Sequence, residues 1–416
     1  MLRLGLCCVF HEEPQIKFRT TTVKHLSKFE KAARLLLLDQ IALDNAHTLK
    51  KAIAYCAANR IGCFRVNSQI WPAYTHKIVG YNFDELPRKD EISTVLTECR
   101  TLAQETGVRL AMHPDQFVVL NSQKEEVIAA SIAELEYQSR FAEMVGVDVM
   151  NVHGGGAFGN KATALVALAT GINRLSERAR SRLTLENDDV TFTPDDLLPF
   201  CEENRIPFVY DVHHHRCTAG VNNVTDDVVR EITERAIKTW LGREPLMHIS
   251  SPAEGWNGPK PRIHHALISM TDFPDCWKTM KIDWTLEVEA RHKEVAISKL
   301  LSQLVACGVP LWSAKRPTAD NFDHTVKPAQ IAEKSSKADT IVTKKKVSIV
   351  AQKNDLPVLQ KTVSTVPPKK GATCSKRRMS LCSKRTMPLY LHLMIPLLLP
   401  DMRCANAEFS FTFHFQ

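Results

Sequence analysis

The chain has no run of eighteen apolar residues, so no transmembrane helix is expected. It also has no recognisable secretory core. The opening MLRLGLCCVF contains only a short apolar stretch and runs directly into His11-Glu12-Glu13, and so reads as a strand. The twelve cysteines include no CxxC pair and no repeated spacing, which removes the usual signature of a disulfide framework. Reduced thiols and a cytoplasmic location are the expectation. Positive charge is missing where a nucleic-acid-binding surface would need it. The net charge of +8 comes from residues 311–416, which hold 18 Lys and Arg against 7 Asp and Glu, leaving 36 against 39 for residues 1–310. The first three hundred residues therefore offer no electrostatic case for binding nucleic acid. Any such case has to come from a site.

What is present is ordinary globular composition, 44% hydrophobic and 24% charged, arranged as an alternation. Short β-rich apolar runs are expected as strands at Arg3–Leu6, Gly62–Val66, Arg109–Met112, Val147–Val152, Arg182–Glu186, Pro207–Asp211, Leu246–Ile249 and Trp284–Val288. Helical patterns lie between them, at Ala46–Asn59, Ile92–Thr106, Lys124–Val145, Ala162–Ala179, Asp226–Trp240 and Glu294–Cys307. Eight strands alternating with helices predict an α/β fold of the (β/α)8 TIM-barrel type over residues 1–310. Residues 311–416 read as a basic, low-complexity and disordered tail, with KKK at 344–346 and KRR at 376–378. The mostly apolar run Met387–Pro400 in that tail is too short to span a bilayer.

Active sites of such barrels sit at the C-terminal ends of the strands. Strand three ends in AMHPDQF with His113, strand four in NVHGGG with His153, and strand five in TLENDD with Glu186. Strand six ends in VYDVHHH with Asp211 and His213–His215, strand seven contains LMHISS with His248, and strand eight ends in LEVEARH. The loop before strand eight adds His264 and His265. A single histidine near a strand end is more often a hydrogen-bonded rim residue than a ligand. Recurrence at six strand ends argues otherwise for the set, because His, Asp and Glu are the ligands that hold Zn2+ or Mn2+ in hydrolytic sites. So many donors suggest two or three ions, which can activate a water and bind phosphate oxygens during in-line displacement. Glu186 is the most telling, since a carboxylate inside an apolar strand needs a strong partner. Alternation leaves two choices open: His213 or His214 beside Asp211, and Glu287 or Glu289 on strand eight. Gly154–Gly156 lack the spacing of a phosphate-binding fingerprint and read first as a tight turn.

The set HPDQF, VHGGG, LENDD, DVHHH and MHISSP, with VEA near the end of strand eight, resembles the UV damage endonucleases from RLGLC to about Leu301. That resemblance implies a TIM barrel related to the endonuclease IV type. It implies incision immediately 5′ to cyclobutane pyrimidine dimers and 6-4 photoproducts, leaving a 3′-hydroxyl, by metal-activated water. The implied cofactor is a cluster of two or three divalent ions, manganese first, with zinc or magnesium as alternatives. The implied partner is double-stranded DNA carrying UV lesions, met by a monomer with no membrane association. Carried over by motif, the metal ligands are His113, His153, Glu186, Asp211, His214, His248, His265 and Glu289, with Glu186, Glu289 and His248 as the catalytic set. Gln116 and Phe117 match the family's pair that wedges into the duplex where the damaged dinucleotide is flipped out. Some relatives have a lysine where this chain has Leu246. Arg65, Lys161, Arg216, Lys260 and Arg262, in or near strand-end loops, are the expected phosphate contacts.

Three rivals share parts of this pattern. An apurinic-site nuclease of the endonuclease IV type needs the barrel and metals but no wedge pair. A metal-dependent sugar isomerase would act on a free sugar and not on DNA. A non-enzymatic binder would work through the basic tail alone.

Overall fold

The computed structural model describes residues 1–314. The tail beyond them, with its expected disorder, lies outside the described residues. Eight strands form one closed, all-parallel barrel in sequence order: β1 Leu2–Cys7, β2 Cys63–Val66, β3 Arg109–Met112, β4 Val149–His153, β5 Leu183–Glu186, β6 Phe208–Asp211, β7 Leu246–Ile249 and β8 Trp284–Val288. The ring shuts where β1 pairs with β8, from Leu2↔Trp284 to Leu6↔Val288. Every expected strand is found, with ends shifted by two residues at most.

The two faces of each strand do different work, as a period of two requires. Leu2, Leu4, Leu6, Phe64, Leu110, Met112, Met150, Val152, Leu185, Phe208, Met247 and Leu286 belong to the large outer core packed beneath the helices. Alternate positions face the barrel axis. There Cys63, Ala111, Val149, Val209 and Leu246 form a separate apolar cluster with Trp240. Trp240 closes the lower end, its Nε1–H donating to the Phe208 carbonyl at 2.9 Å. The Arg109 and Arg243 guanidinium groups lie over its ring at 5.6 and 5.5 Å. Polar strand-end residues thus stand above a dry floor.

Two helical stretches depart from expectation. The helix expected from Ala46 begins at Lys31 and runs to Ala58. Four consecutive leucines, Leu35–Leu38, blur the 3.6-residue period there. The stretch Ala162–Ala179 is split. One helix spans Lys161–Ile172, and Ser176 caps a short second one by accepting from the Ala179 N–H. The helix Pro194–Asn204 starts from a Thr193–Asp196 capping box with Pro194 in the first turn.

Packing continues to Trp312, whose N–H donates to the Leu2 carbonyl at 2.9 Å. Its ring is buried, and Arg3 sits over it at 5.2 Å. Trp312→Ala is expected to cost about 3 kcal/mol in urea unfolding, the range for deleting a buried tryptophan. A loss below about 1 kcal/mol would show that this segment adds little to the barrel.

Candidate metal centre

Four histidines converge on the two oxygens of one carboxylate. Glu186, at the end of β5, is fully buried. Its Oε2 lies 3.0 Å from His113 Nε2 and 3.5 Å from His153 Nε2. Its Oε1 lies 3.1 Å from His248 Nδ1 and 3.2 Å from His214 Nδ1. From below, the Asn151 amide donates to Oε2, and the Thr184 hydroxyl donates to Asn151 Oδ1 at 2.9 Å. Asn151 and Thr184 each stand two residues before a site residue on the same strand face. That spacing is the signal by which they could have been found, but they were missed.

At β6 the end of the strand brings His214, and not His213, among the candidate donors. A helix over Val212–Ala219 begins directly after Asp211, whose side chain caps it by accepting from the His214 N–H at 2.7 Å. Three residues on is nearly one helical turn, so His214 returns over Asp211, with Nδ1 3.7 Å from Oδ2. His213 turns away onto Trp256, ring centroids 5.1 Å apart. At β8, Glu289 reaches the rim, its Oε1 3.6 Å from His248 Nδ1. Glu287 faces the axis one layer lower.

The donor atoms form four overlapping groups, each compact enough for an ion: His113–His153–Glu186, Glu186–Asp211–His214, Asp211–His248–Glu289, and His214–His264–Glu289. The structure brings His264 into this set and leaves His265 out. The loop pairs Pro252 with His264, and the His265 N–H donates to Ser251. Neighbouring residues of such a pairing point to opposite sides. His265 Nδ1 instead lies against the Leu267 backbone at 3.0 Å.

These residues suit a divalent cation. Asp211 Oδ2 is buried with no hydrogen-bond partner, an arrangement that is costly for a carboxylate unless a cation meets it. Without an ion, the histidines supply the compensating charge. Burial opposes protonation of His248, but the Glu186 charge together with hydrogen bonds to Glu186 and Glu287 outweighs it and raises the imidazole to about 10. His214 is raised well above its ordinary value against the same burial penalty, by Asp211 and Glu186. His113, where burial dominates, is lowered. Glu186 is held well below the usual carboxylate range despite its burial, chiefly by the charges of His248 and His153. A divalent ion would take over that compensation and displace the protons.

The rim carries the wedge candidates. Asp115–Val118 is a turn closed by the Val118 N–H donating to the Asp115 carbonyl at 2.9 Å. Gln116 and Phe117 are its two central residues, and Phe117 is 76% exposed. The expected phosphate contacts fare differently. Arg65 is a correction: it is buried inside the barrel and bound to Glu287 and Glu289. Arg216 is also turned inward, donating to the Asp272 carbonyl at 2.6 Å with Trp256 beneath it. Lys161 and Arg262 remain exposed but pair with Asp196 and Asp189. Lys260 is exposed, with no side-chain partner among the described residues. Gly154–Gly156 are irregular backbone after β4, and the tight turn follows at 157–160, where the Asn160 N–H donates to the Ala157 carbonyl at 2.9 Å. Gly155 has φ +83°, and a Cβ there would lie 2.1 Å from Asn121 Oδ1. Asn121 clamps the loop by donating to the carbonyls of Gly154 and Gly156.

Fold and site together define a TIM barrel with a histidine–carboxylate centre for divalent cations at its strand ends. The profile of the family described as UV-endonuclease UvdE matches residues 2–309, and the chain belongs to that family. A Deinococcus radiodurans protein named UV DNA damage endonuclease is 34% identical over 311 residues, covering 72% of this chain and 94% of its own. A Nostoc sp. protein of the same name is 33% identical over 306 residues, covering 72% and 89%. The crystal structure of SacUVDE superposes with a TM-score of 0.64 at 24% identity, covering 74% of this chain and all of that one, and supports the fold. No helix among the described residues is long and apolar enough to cross a membrane.

Proposed function

We propose that this chain is a metal-dependent endonuclease that incises double-stranded DNA immediately 5′ to UV photoproducts. The observation that carries the reading is the convergence of four histidines on Glu186 below an exposed Gln116–Phe117 turn. His113, His153, Glu186, Asp211, His214, His248, His264 and Glu289 would hold two or three divalent ions, manganese first. Ions there supply an activated water and neutralise phosphate charge for in-line displacement.

The chain's own residues supply position and selection. Glu186 and Glu289 would be among the carboxylates that hold the cations. The buried Asn151–Thr184 chain fixes the Glu186 carboxylate plane. Phe117 can stack where bases have left the helix, and the Gln116 amide can pair with the orphaned bases opposite. Damage selects itself in part, because an already weakened pair costs least to flip. Lys260, exposed and without a side-chain partner among the described residues, is free to meet a backbone phosphate.

A duplex carrying one pyrimidine dimer, incubated with Mn2+, is expected to be cut once beside the lesion, and not at all with EDTA. Cutting at an abasic site with none at the dimer would replace this reading by an endonuclease IV type activity. Cutting that persists in EDTA would remove the metals from it.

A further inference from the structure

Arg65 and Glu287 form an ion pair inside the barrel, and the site as described gives them no task. Glu287 is 1% exposed on β8. Gly5 makes its room: a Cβ on that glycine would stand 3.0 Å from Glu287 Cγ. Beneath the pair lies the apolar floor with Cys63 and Leu246. Burying two charges over such a floor is a poor way to stabilise a core, since desolvation can exceed the attraction gained. Besides the bond from Arg65 to Glu289, the pair touches His248. Glu287 Oε2, which also takes the Arg65 guanidinium, lies 3.0 Å from His248 Nε2.

We propose that Glu287, held by Arg65, is a positioning residue that keeps the His248 proton on Nε2, so that Nδ1 offers its lone pair to a divalent ion. The inference rests on the metal reading of the site. His248 Nδ1 looks toward three carboxylates, 3.1 Å from Glu186, 3.6 Å from Glu289 and 4.0 Å from Asp211. An ion among them must bind Nδ1, and a neutral imidazole then carries its one proton on Nε2. Two groups face that nitrogen: the Glu287 carboxylate, which accepts, and Arg65 Nη2 at 3.3 Å, which only donates. With Glu287 present, Nε2–H has its acceptor and Arg65 is committed to Glu287 and Glu289. Without Glu287, Arg65 donates to Nε2, the proton moves to Nδ1, and the histidine presents N–H to the ion. A carboxylate behind a metal-binding histidine is the general device for fixing tautomer and ring.

The test uses the full chain with Zn2+, a diamagnetic probe, and 15N-labelled histidine. The His248 resonances are expected to show Nδ1 coordinated and Nε2 protonated. By chelator competition, Glu287→Met should weaken Zn2+ binding about 10–100-fold, whereas Glu287→Gln, which keeps an acceptor oxygen, should stay within about threefold of wild type. Melting of each ion-free variant reports folding separately. Zinc on Nε2, or Zn2+ held as tightly by folded Glu287→Met as by wild type, overturns the proposal and leaves the metal reading standing. Failure of the wild type to bind Zn2+ overturns both. Should Glu287→Met not fold, the wild-type tautomer alone decides.

Discussion

With glutamine in place of Glu186, incision beside a dimer is expected to fall by about 10²–10⁴-fold, the equivalent of about 3–5 kcal/mol for removing one partner from a buried charge network. The change is nearly isosteric, so packing around β5 should persist. What disappears is the charge that four imidazoles share. Glutamine offers one carbonyl oxygen where the carboxylate offers two, and its amide group would donate toward histidines or toward an ion. Single-turnover incision, bound metal by elemental analysis and circular dichroism distinguish the outcomes. A folded variant retaining more than about a tenth of wild-type incision would remove Glu186 from the centre of the mechanism.

The second large effect concerns selection. Phe117→Ala is expected to lower incision at a dimer about 10–100-fold, in line with about 1–3 kcal/mol for one base–aromatic stack. Phe117→Tyr should remain close to wild type, because the ring face is kept. The side chain is 76% exposed at the tip of a turn, so neither change should alter the melting temperature or the amount of metal bound. The loss should appear with damaged duplex and leave weak binding to undamaged duplex unchanged. Equal loss on both substrates would make Phe117 a general DNA contact. No loss on either would remove it from recognition.

Much of this was legible in the sequence, for reasons that differ by residue. The strands were readable as short apolar runs, six of which carry His, Asp or Glu at or beside their C-terminal ends, where a period of two turns that residue toward the barrel axis. The start of the helix Lys31–Ala58 was hidden because consecutive leucines carry no period. His264 and His265 could not be told apart, since the face of a loop pairing is set by its partner, Pro252. The ion pair of Arg65 and Glu287 joins residues 222 apart in the chain. Those strands are not neighbours in the sheet, so only closure of the ring brings the side chains together. The phosphate contacts were the weakest expectation. A long basic side chain takes its direction from what surrounds it, and Arg65 and Arg216 both found buried oxygen acceptors on the inside.

Closure of the ring also decides when the candidate centre is complete. Its candidate ligands run from His113 to Glu289, and the last follows directly on the strand that pairs with the first. During synthesis, a chain shorter than about 290 residues lacks Glu289 and has no eighth strand to offer β1. Such a chain holds the residues of His113–His153–Glu186 and Glu186–Asp211–His214 but cannot make the two donor groups that contain Glu289. The full set of candidate donors is therefore assembled only with the last strand, and closing the barrel and completing the centre are one event.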